Sequence, residues 1–191
     1  MKPLGRDVRP VLAALCASLM LWTAATLAQA TPETFAATAT VKRAGLSASA
    51  PVSVTITRYS SDAERDAVMA AVRAGGSAAL HRALGSAKDA GHIQLGDRRT
   101  AIKFVGQRPM PSGRLLTIVT AEPILFLGSG LPDAAPRDGF EVAVAMLELN
   151  GGKVSGELVP AAKVGVDPNG ALLIDDYGAT VVWLSDLTQK N

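Results

Sequence analysis

The sequence is poor in the residues that most often build metal sites and cross-links. Among 191 residues there are one cysteine, Cys16, and two histidines, His81 and His92. A transition-metal site usually takes three or four His, Cys or carboxylate ligands, so two separated histidines argue against one. A disulfide within the chain is excluded because it needs two cysteines. We therefore expect no metal and no cofactor, and a core that holds the fold without cross-links.

Residues 1–30 have the three parts of a secretory signal peptide. A basic start (MKPLGR) precedes residues 11–27, which contain no charged residue, and Ala28-Gln29-Ala30 supplies the small-x-small cleavage pattern. Cleavage after Ala30 would make Thr31 the new N-terminus. The alternative is an uncleaved anchor, because the apolar run is near the lower limit for spanning a bilayer. We predict cleavage, a periplasmic or secreted location, and one β-rich globular domain over residues 31–191.

The predicted mature domain has no excess charge of either sign. The signal-like segment holds three of the 19 basic residues and one of the 17 acidic residues, which leaves 16 of each. A neutral domain without a basic run is a poor candidate for binding nucleic acid or an anionic membrane. We expect a protein or small-molecule partner, no nucleic acid, and no stable membrane insertion once the signal is removed.

Alternation of residue type predicts a β-rich domain. After a short mobile leader at residues 31–33, a strand is expected, then a small polar loop at residues 44–50, then a second strand. Short connections make the sheet mostly antiparallel, with about seven or eight strands and either a barrel-like or a sandwich-like closure. Eight strand-like stretches are residues 35–43, 51–59, 100–107, 114–121, 140–149, 152–159, 161–166 and 171–177, and residues 181–187 could add a last strand.

A helical hairpin is predicted after the second strand, which makes the fold class α+β. Ser61-Asp62-Ala63-Glu64 is a capping box that begins a helix. Gly75-Gly76 ends it, and Ser77 caps a second short helix that ends near Gly85. The two helices are expected to cover one face or one open end of the sheet.

Turn residues predict the hairpins of the second half. Asn150-Gly151 is typical of a type I′ turn between two strands, because both residues accept positive φ values. Residues 167–170 (DPNG) predict another tight turn, and residues 109–113 (PMPSG) a third. Residues 128–139 contain two prolines and three glycines and predict a long irregular loop.

Four charged residues at the strand-to-helix corner are the candidate ligand-binding residues: Arg58, Asp62, Glu64 and Arg65. The acids lie at the positive end of the predicted helix dipole, where negative charge is favoured. A locally pinned corner is one interpretation of this cluster. A polar rim for a ligand between helix and sheet is the other.

No pattern in the chain predicts a catalytic residue. There is no Gly-x-Ser-x-Gly nucleophile elbow. Asp133, Asp138, Asp175 and Asp176 are typical of solvated turns, and neighbours such as the last two point to opposite faces of a strand.

The segment RYSSDAER at residues 58–65 resembles a family of small exported bacterial proteins of unknown function. The stretches TAEPI (residues 120–124) and GEL (residues 156–158) add to the resemblance, which covers most of residues 35–188. It implies an exported single domain in which the first segment opens a helical hairpin, and it assigns no catalytic residue. Where the family has an aromatic and a charged residue after the Pro-x-x-Phe turn, this chain has Leu127-Gly128.

These observations favour a non-enzymatic binding or interaction module of the bacterial envelope. A hydrolase whose carboxylates converge only in the fold is the alternative, since two acids in one pocket suffice for acid–base chemistry. An inhibitor that presents the loop at residues 128–139 is a third hypothesis.

Overall fold

A computed structural model describes residues 32–43, 46–124, 138–151, 153–169, 171–176 and 182–190. The predicted signal, its cleavage position at Ala30 and Thr31, Asp133 and most of the predicted loop at 128–139 lie outside these ranges. The described part contains nine strands and one helix: β1 Glu33–Arg43, β2 Leu46–Ile56, α1 Asp62–Gly85, β3 Gly91–Leu95, β4 Arg98–Met110, β5 Gly113–Thr120, β6 Val142–Asn150, β7 Lys153–Val166, β8 Leu172–Asp176 and β9 Val182–Lys190.

Eight of the strands close into an antiparallel barrel. The neighbours run in the order β6-β5-β4-β3-β2-β1-β9-β7, and β7 also pairs with β6, which completes the ring. The mostly antiparallel sheet is therefore confirmed, and of the two closures left open by the sequence the chain adopts the barrel. Closure removes the free edges that a sandwich would have to protect. The ninth strand, β8, extends the far end of β7 beyond the ring.

The barrel interior is filled with apolar side chains. Residues on alternate positions of the strands point inward, and Phe35, Ile56 and Leu147 are almost completely inaccessible to solvent. An eight-stranded barrel is just wide enough for side chains to fill it. The interior is therefore a packed core, and space for a ligand has to be sought elsewhere.

The helix lies on the outer face of the barrel. Val72, Leu80 and Leu84 of α1 pack against a second apolar cluster formed by outward-facing residues of β4, β5, β6 and β7. The outer face of these four strands is consequently apolar too, which is the pattern of a sheet covered on both sides.

Over residues 62–85 the structure does not show the predicted helical hairpin as two separate helices. Asp62–Gly85 is a single helical element with a kink at Gly75 and Gly76, where Gly76 has φ of +57°. The glycine pair interrupts the helix as predicted, and Leu80 and Leu84 of the second half pack against the same apolar cluster as Val72 of the first half. Within the described residues no helix is long and apolar enough to cross a membrane.

A β-bulge at Lys103 separates two residues that simple alternation puts on one face. The register of β4 against β5 shifts between Ile102 and Phe104. Ile102 consequently lies in the barrel interior, whereas Phe104 lies in the outer cluster under the helix. The bulge holds Lys103 against the chain that follows α1, with its Nζ 2.7 Å from Asp89 Oδ1. Re-aiming a side chain in this way is a common use of a bulge.

Three local predictions are corrected. The loop predicted at residues 44–50 is mostly strand, because β1 and β2 pair from Glu33↔Ile56 to Arg43↔Leu46. The stretches at 152–159 and 161–166 form one continuous strand, β7. The turn after β6 lies one residue later than predicted, since Asn150 still pairs with Lys153 and only Gly151 of the predicted pair has positive φ.

Candidate functional site

The predicted corner cluster divides into two ion pairs with different surroundings. Arg58 binds Glu64, with Nη1 3.0 Å from Oε2 and Nη2 3.0 Å from Oε1. Its Nε and Nη2 also donate to the carbonyl oxygens of Asp89 and Lys88. These hydrogen bonds of Arg58 join the start of α1 to the residues that follow its C-terminal end. This pair supports the interpretation of a pinned corner.

The capping box predicted at Ser61 is confirmed. Ser61 Oγ accepts the backbone N–H of Glu64, and Glu64 Oε2 accepts the backbone N–H of Ser61 at 2.7 Å. The hydrogen bonds from Arg58 and from the Ser61 backbone hold the pKa of Glu64 below its ordinary value. A carboxylate held in its ionised form by three donors is not poised to exchange protons near neutral pH.

The second pair, Asp62 and Arg65, lies on the rim of a groove. Asp62 Oδ1 is 2.9 Å from Arg65 Nη1, one helical turn away. Both side chains are largely exposed and border a groove between α1 and the outer face of the barrel. Of the four predicted residues, the structure therefore brings these two to a possible ligand site and leaves Arg58 and Glu64 outside it.

The groove has a volume of 560 Å³ and an aliphatic lining. This size lies within the range of small-molecule sites, about 300–1,000 Å³. One wall is the first half of α1, and the floor consists of outward-facing residues of the strands beneath it. The apolar lining residues are Val68, Met69, Val72, Leu80, Phe104, Val119, Val144, Val164, Leu172 and Ile174.

The floor is open because two neighbouring positions carry small side chains. Gly106 of β4 pairs with Thr117 of β5, and both line the groove. The ring of Phe104 lies against Gly106, so that a Cβ added there would be 3.0 Å from the ring. A larger residue at position 106 would push the ring into the groove, and glycine therefore keeps the floor flat.

A buried serine fixes the far end of the groove. Ser77, just after the kink of α1, accepts the backbone N–H of Val164 at 2.6 Å and donates to its carbonyl at 3.3 Å. The kink approaches β7 so closely that a Cβ added to Gly76 would be 3.1 Å from the same carbonyl oxygen. Ser77 was predicted as a helix cap; instead its hydroxyl bonds an edge of β7 as a neighbouring strand would. This contact positions Leu80 over the groove.

A polar cluster at one mouth of the barrel was not predicted. Arg114 Nη1 lies 3.0 Å from Tyr59 Oη, 3.2 Å from Gln107 Oε1 and 3.3 Å from Glu33 Oε1, while its Nη2 binds Glu33 Oε2. Tyr59 Oη donates to Glu33 Oε1 at 2.6 Å, and Gln189 Nε2 donates to Glu33 Oε2 at 3.2 Å. Glu33 was predicted in a mobile leader, but it is the first residue of β1 and the centre of this network.

The residues of this polar cluster shift one another's pKa values. Burial raises the pKa of Glu33, but hydrogen bonds from Arg114 and Tyr59 outweigh burial and hold that pKa below its ordinary value. Burial and the hydrogen bond to Glu33 raise the pKa of Tyr59 to about 12. The hydrogen bond to Glu33 also raises the pKa of Arg114. The ionised carboxylate and the neutral phenol stabilise each other, so the cluster ties β1, β5 and the chain after β2 together.

The histidines and the remaining carboxylates do not converge on the groove. His92 lies in β3 and contacts Arg99; burial and this guanidinium lower its pKa. Asp138 and Asp175 are described and do not line the groove, and the side chain of Asp176 is outside the description. Among the described residues, no group of three His, Cys, Asp or Glu side chains could hold a metal ion.

The sequence contained a weak signal for the groove. Val68 and Val72 are four residues apart, which is the spacing of one helical face, and both line the groove. Phe104 and Gly106 gave no signal, because the bulge at Lys103 sets the face that Phe104 occupies.

Comparison with known proteins adds no relative: no family model, no curated protein and no solved structure matches the chain. The resemblance to exported proteins of unknown function stays a prediction.

Proposed function

We propose that this chain is an exported, non-enzymatic binding module of the bacterial envelope, and that it holds a small, mainly apolar molecule in the groove between α1 and the barrel. The observation that carries the proposal is the groove itself, a mainly apolar cleft of 560 Å³ on the outside of a filled barrel. Most small-molecule sites are concave and apolar with a few polar groups at defined places, which is the composition of this cleft.

The alternative, a hydrolase with a carboxylate-based site, has no observation in its favour. Acid–base chemistry of that kind needs two carboxyl groups in one pocket, or one with a perturbed pKa. Within the described lining of the groove, Asp62 is the one carboxylate, and it is exposed and paired with Arg65. The lowered pKa values of Glu33 and Glu64 are accounted for by arginine partners outside the apolar part of the groove.

The groove is held open before a ligand arrives. Ser77 fixes the second half of α1 to β7, and the capping box with Arg58 and Glu64 fixes its start. The first half of α1 is therefore held at its start and just beyond the kink, and it spans the cleft between these two points. Pre-organisation of this kind lowers the cost of ordering a site on binding, which leaves more of the apolar contact energy as affinity.

A pair of tryptophan variants on one helix turn tests the proposal. Met69 lines the groove, whereas its neighbour Ala70 is exposed and does not. Met69→Trp should fill the cleft and weaken binding of a neutral fluorescent probe, N-phenyl-1-naphthylamine, at least about tenfold, since this requires a loss of only about 1.4 kcal/mol. Ala70→Trp adds the same ring on the solvent side and should leave binding unchanged.

Circular dichroism of both variants controls for loosened packing, because partly unfolded states also bind apolar dyes. If the two folded variants bind the probe as tightly as the parent protein, the groove is not a binding site. If the parent protein binds neither this probe nor any apolar compound at micromolar concentration, the proposed function is wrong.

Export is proposed from the sequence and is tested separately. Protein recovered from the envelope or the medium of cells expressing the whole chain should begin at Thr31, as measured by intact mass. A mass that retains Met1, or one that carries a lipid on Cys16, would contradict the predicted processing.

A further inference from the structure

The two ends of the groove differ in chemistry. The end beneath the kink of α1 is formed by aliphatic side chains such as Leu80, Val144 and Val164. The end at the start of α1 carries the polar groups, among them Arg65 and Arg108. A molecule that fills the groove lengthwise therefore meets an apolar surface along one part of its length and charge at one end.

The charges at the polar end do not cancel. Arg65 is compensated, because Asp62 Oδ1 lies 2.9 Å from its Nη1 and Asp66 Oδ1 lies 3.7 Å from its Nε. Arg108 projects from the outer face of β4 into the same end of the groove. Within the described part of the chain, the Arg108 side chain has no hydrogen bond and no ion pair. Among the described residues that line the groove, Asp62 is the one carboxylate against Arg65 and Arg108, so the lining carries one net positive charge.

Several other polar groups at this end are already engaged. The Tyr59 hydroxyl and the Gln107 carbonyl oxygen are turned toward Arg114 and Glu33 at the barrel mouth. Ser60 Oγ accepts the backbone N–H of Val105 at 3.0 Å. The guanidinium of Arg108 therefore remains as the strongest donor available to a ligand, and it prefers an anionic acceptor of planar, two-oxygen geometry.

We infer that the ligand of the groove is an amphiphile with a single anionic end group, such as a carboxylate, which binds Arg108 while an unbranched or lightly substituted apolar body lies under α1. This inference rests on the proposed function and adds the chemical class of the ligand. A neutral apolar molecule would fill the cleft without using the guanidinium of Arg108, which is exposed to water. A cation would meet repulsion from Arg108 at the entrance.

A matched ligand series and two charge-reversal variants test this class, with protein purified from the envelope of cells expressing the whole chain. Octanoate, decanoate, decanol and decylamine are titrated as competitors of N-phenyl-1-naphthylamine. Arg108→Glu reverses the groove charge, and Arg98→Glu makes the same change at an exposed residue of β4 that does not line the groove. Thermal unfolding of both variants should match that of the parent protein.

Decanoate is expected to bind at least tenfold more tightly than decanol or decylamine, as for a hydrogen bond to a charged group. Octanoate should bind more weakly than decanoate by about fourfold for each methylene lost. Arg108→Glu should weaken decanoate binding at least tenfold and leave decanol binding unchanged, whereas Arg98→Glu should alter neither. Added salt should weaken decanoate binding more than decanol binding.

Two results would overturn the inference while the proposed function stands. The first is equal affinity for decanoate and decanol; the second is equal loss of decanoate binding in the two variants, with binding of the neutral probe retained. The inference is also wrong if vesicles of anionic lipid bind the protein through Arg108 and monomeric decanoate does not bind it. Arg108 would then bind a membrane surface. If neither the probe nor any competitor binds, the proposed function fails and the inference fails with it.

Discussion

The ion pair of Glu33 and Arg114 should be the most stability-relevant charge interaction in the described part of the chain. Both side chains are mostly buried at the barrel mouth, with 19% of Glu33 and 25% of Arg114 exposed. Removing one partner of a fully buried pair costs about 3–5 kcal/mol, and an exposed pair contributes about 0.2–1 kcal/mol. The observed burial is intermediate, so we expect Glu33→Gln to lower the free energy of unfolding by about 2 kcal/mol.

Urea unfolding of the parent protein, Glu33→Gln, Arg114→Gln and the double variant gives a double-mutant cycle. The coupling energy should be about 1–2 kcal/mol, since each side chain keeps other partners when the first is changed. In a thermal scan, each single change should lower the melting temperature by about 4–8 °C for a domain of this length. Arg65→Gln removes an arginine from an exposed pair and should cost less than about 0.5 kcal/mol.

The same pair should make stability depend on pH in the acid range. The pKa of Glu33 is lower in the folded protein than its ordinary value of 4.5, so folding favours the ionised carboxylate. The resulting stabilisation is fully present above the unfolded pKa and is lost as the pH falls through the folded pKa. Glu33→Gln should therefore flatten the fall in stability below about pH 4.5. Equal costs for Arg114→Gln and Arg65→Gln, or an unchanged acid slope in Glu33→Gln, would refute the reasoning.

Three further changes test the local structure by urea unfolding. Ser77→Ala should cost about 1–3 kcal/mol because the backbone N–H and carbonyl of Val164 lose a buried partner; a cost below 0.5 kcal/mol would mean that water replaces the hydroxyl. Gly151→Ala should cost about 1–2 kcal/mol because its φ of +56° is unfavourable for a residue with a Cβ, and a neutral change would contradict that turn. Ser61→Ala should cost about 0.5–2 kcal/mol. The double change with Glu64→Ala should cost less than the sum of the two single costs; a cost equal to that sum would mean that the two side chains do not act as one cap.

The local elements with strong chemical signals were predictable from the sequence. The start of α1 at Ser61 follows from the reciprocal hydrogen bonds that Ser and Glu make three residues apart, and the structure has them. The interruption at Gly75-Gly76 follows from the freedom of glycine to adopt positive φ. The antiparallel pairing followed from short connections, since only antiparallel strands can be joined by tight turns.

The candidate site was predicted in part. The corner cluster was expected either to pin the helix or to border a ligand site; Arg58 and Glu64 lie at the corner, and Asp62 and Arg65 lie on the rim of the groove. Local spacing could not separate these roles. Arg58 finds its other acceptors about thirty residues away, at Lys88 and Asp89, and only the return of the chain after α1 brings them into reach.

What the sequence determined by itself is therefore the alternation, the cap and the breaks, because each depends on residues close together in the chain. Tertiary structure alone decided the closure of the barrel, the bulge that turns Phe104 outward and the meeting of Glu33 with Arg114. These depend on pairings between strands that are far apart in the sequence, whose register is set by the whole sheet. The groove belongs to the second group, since it exists only where the kinked helix crosses four strands whose outer faces no local pattern marks as apolar.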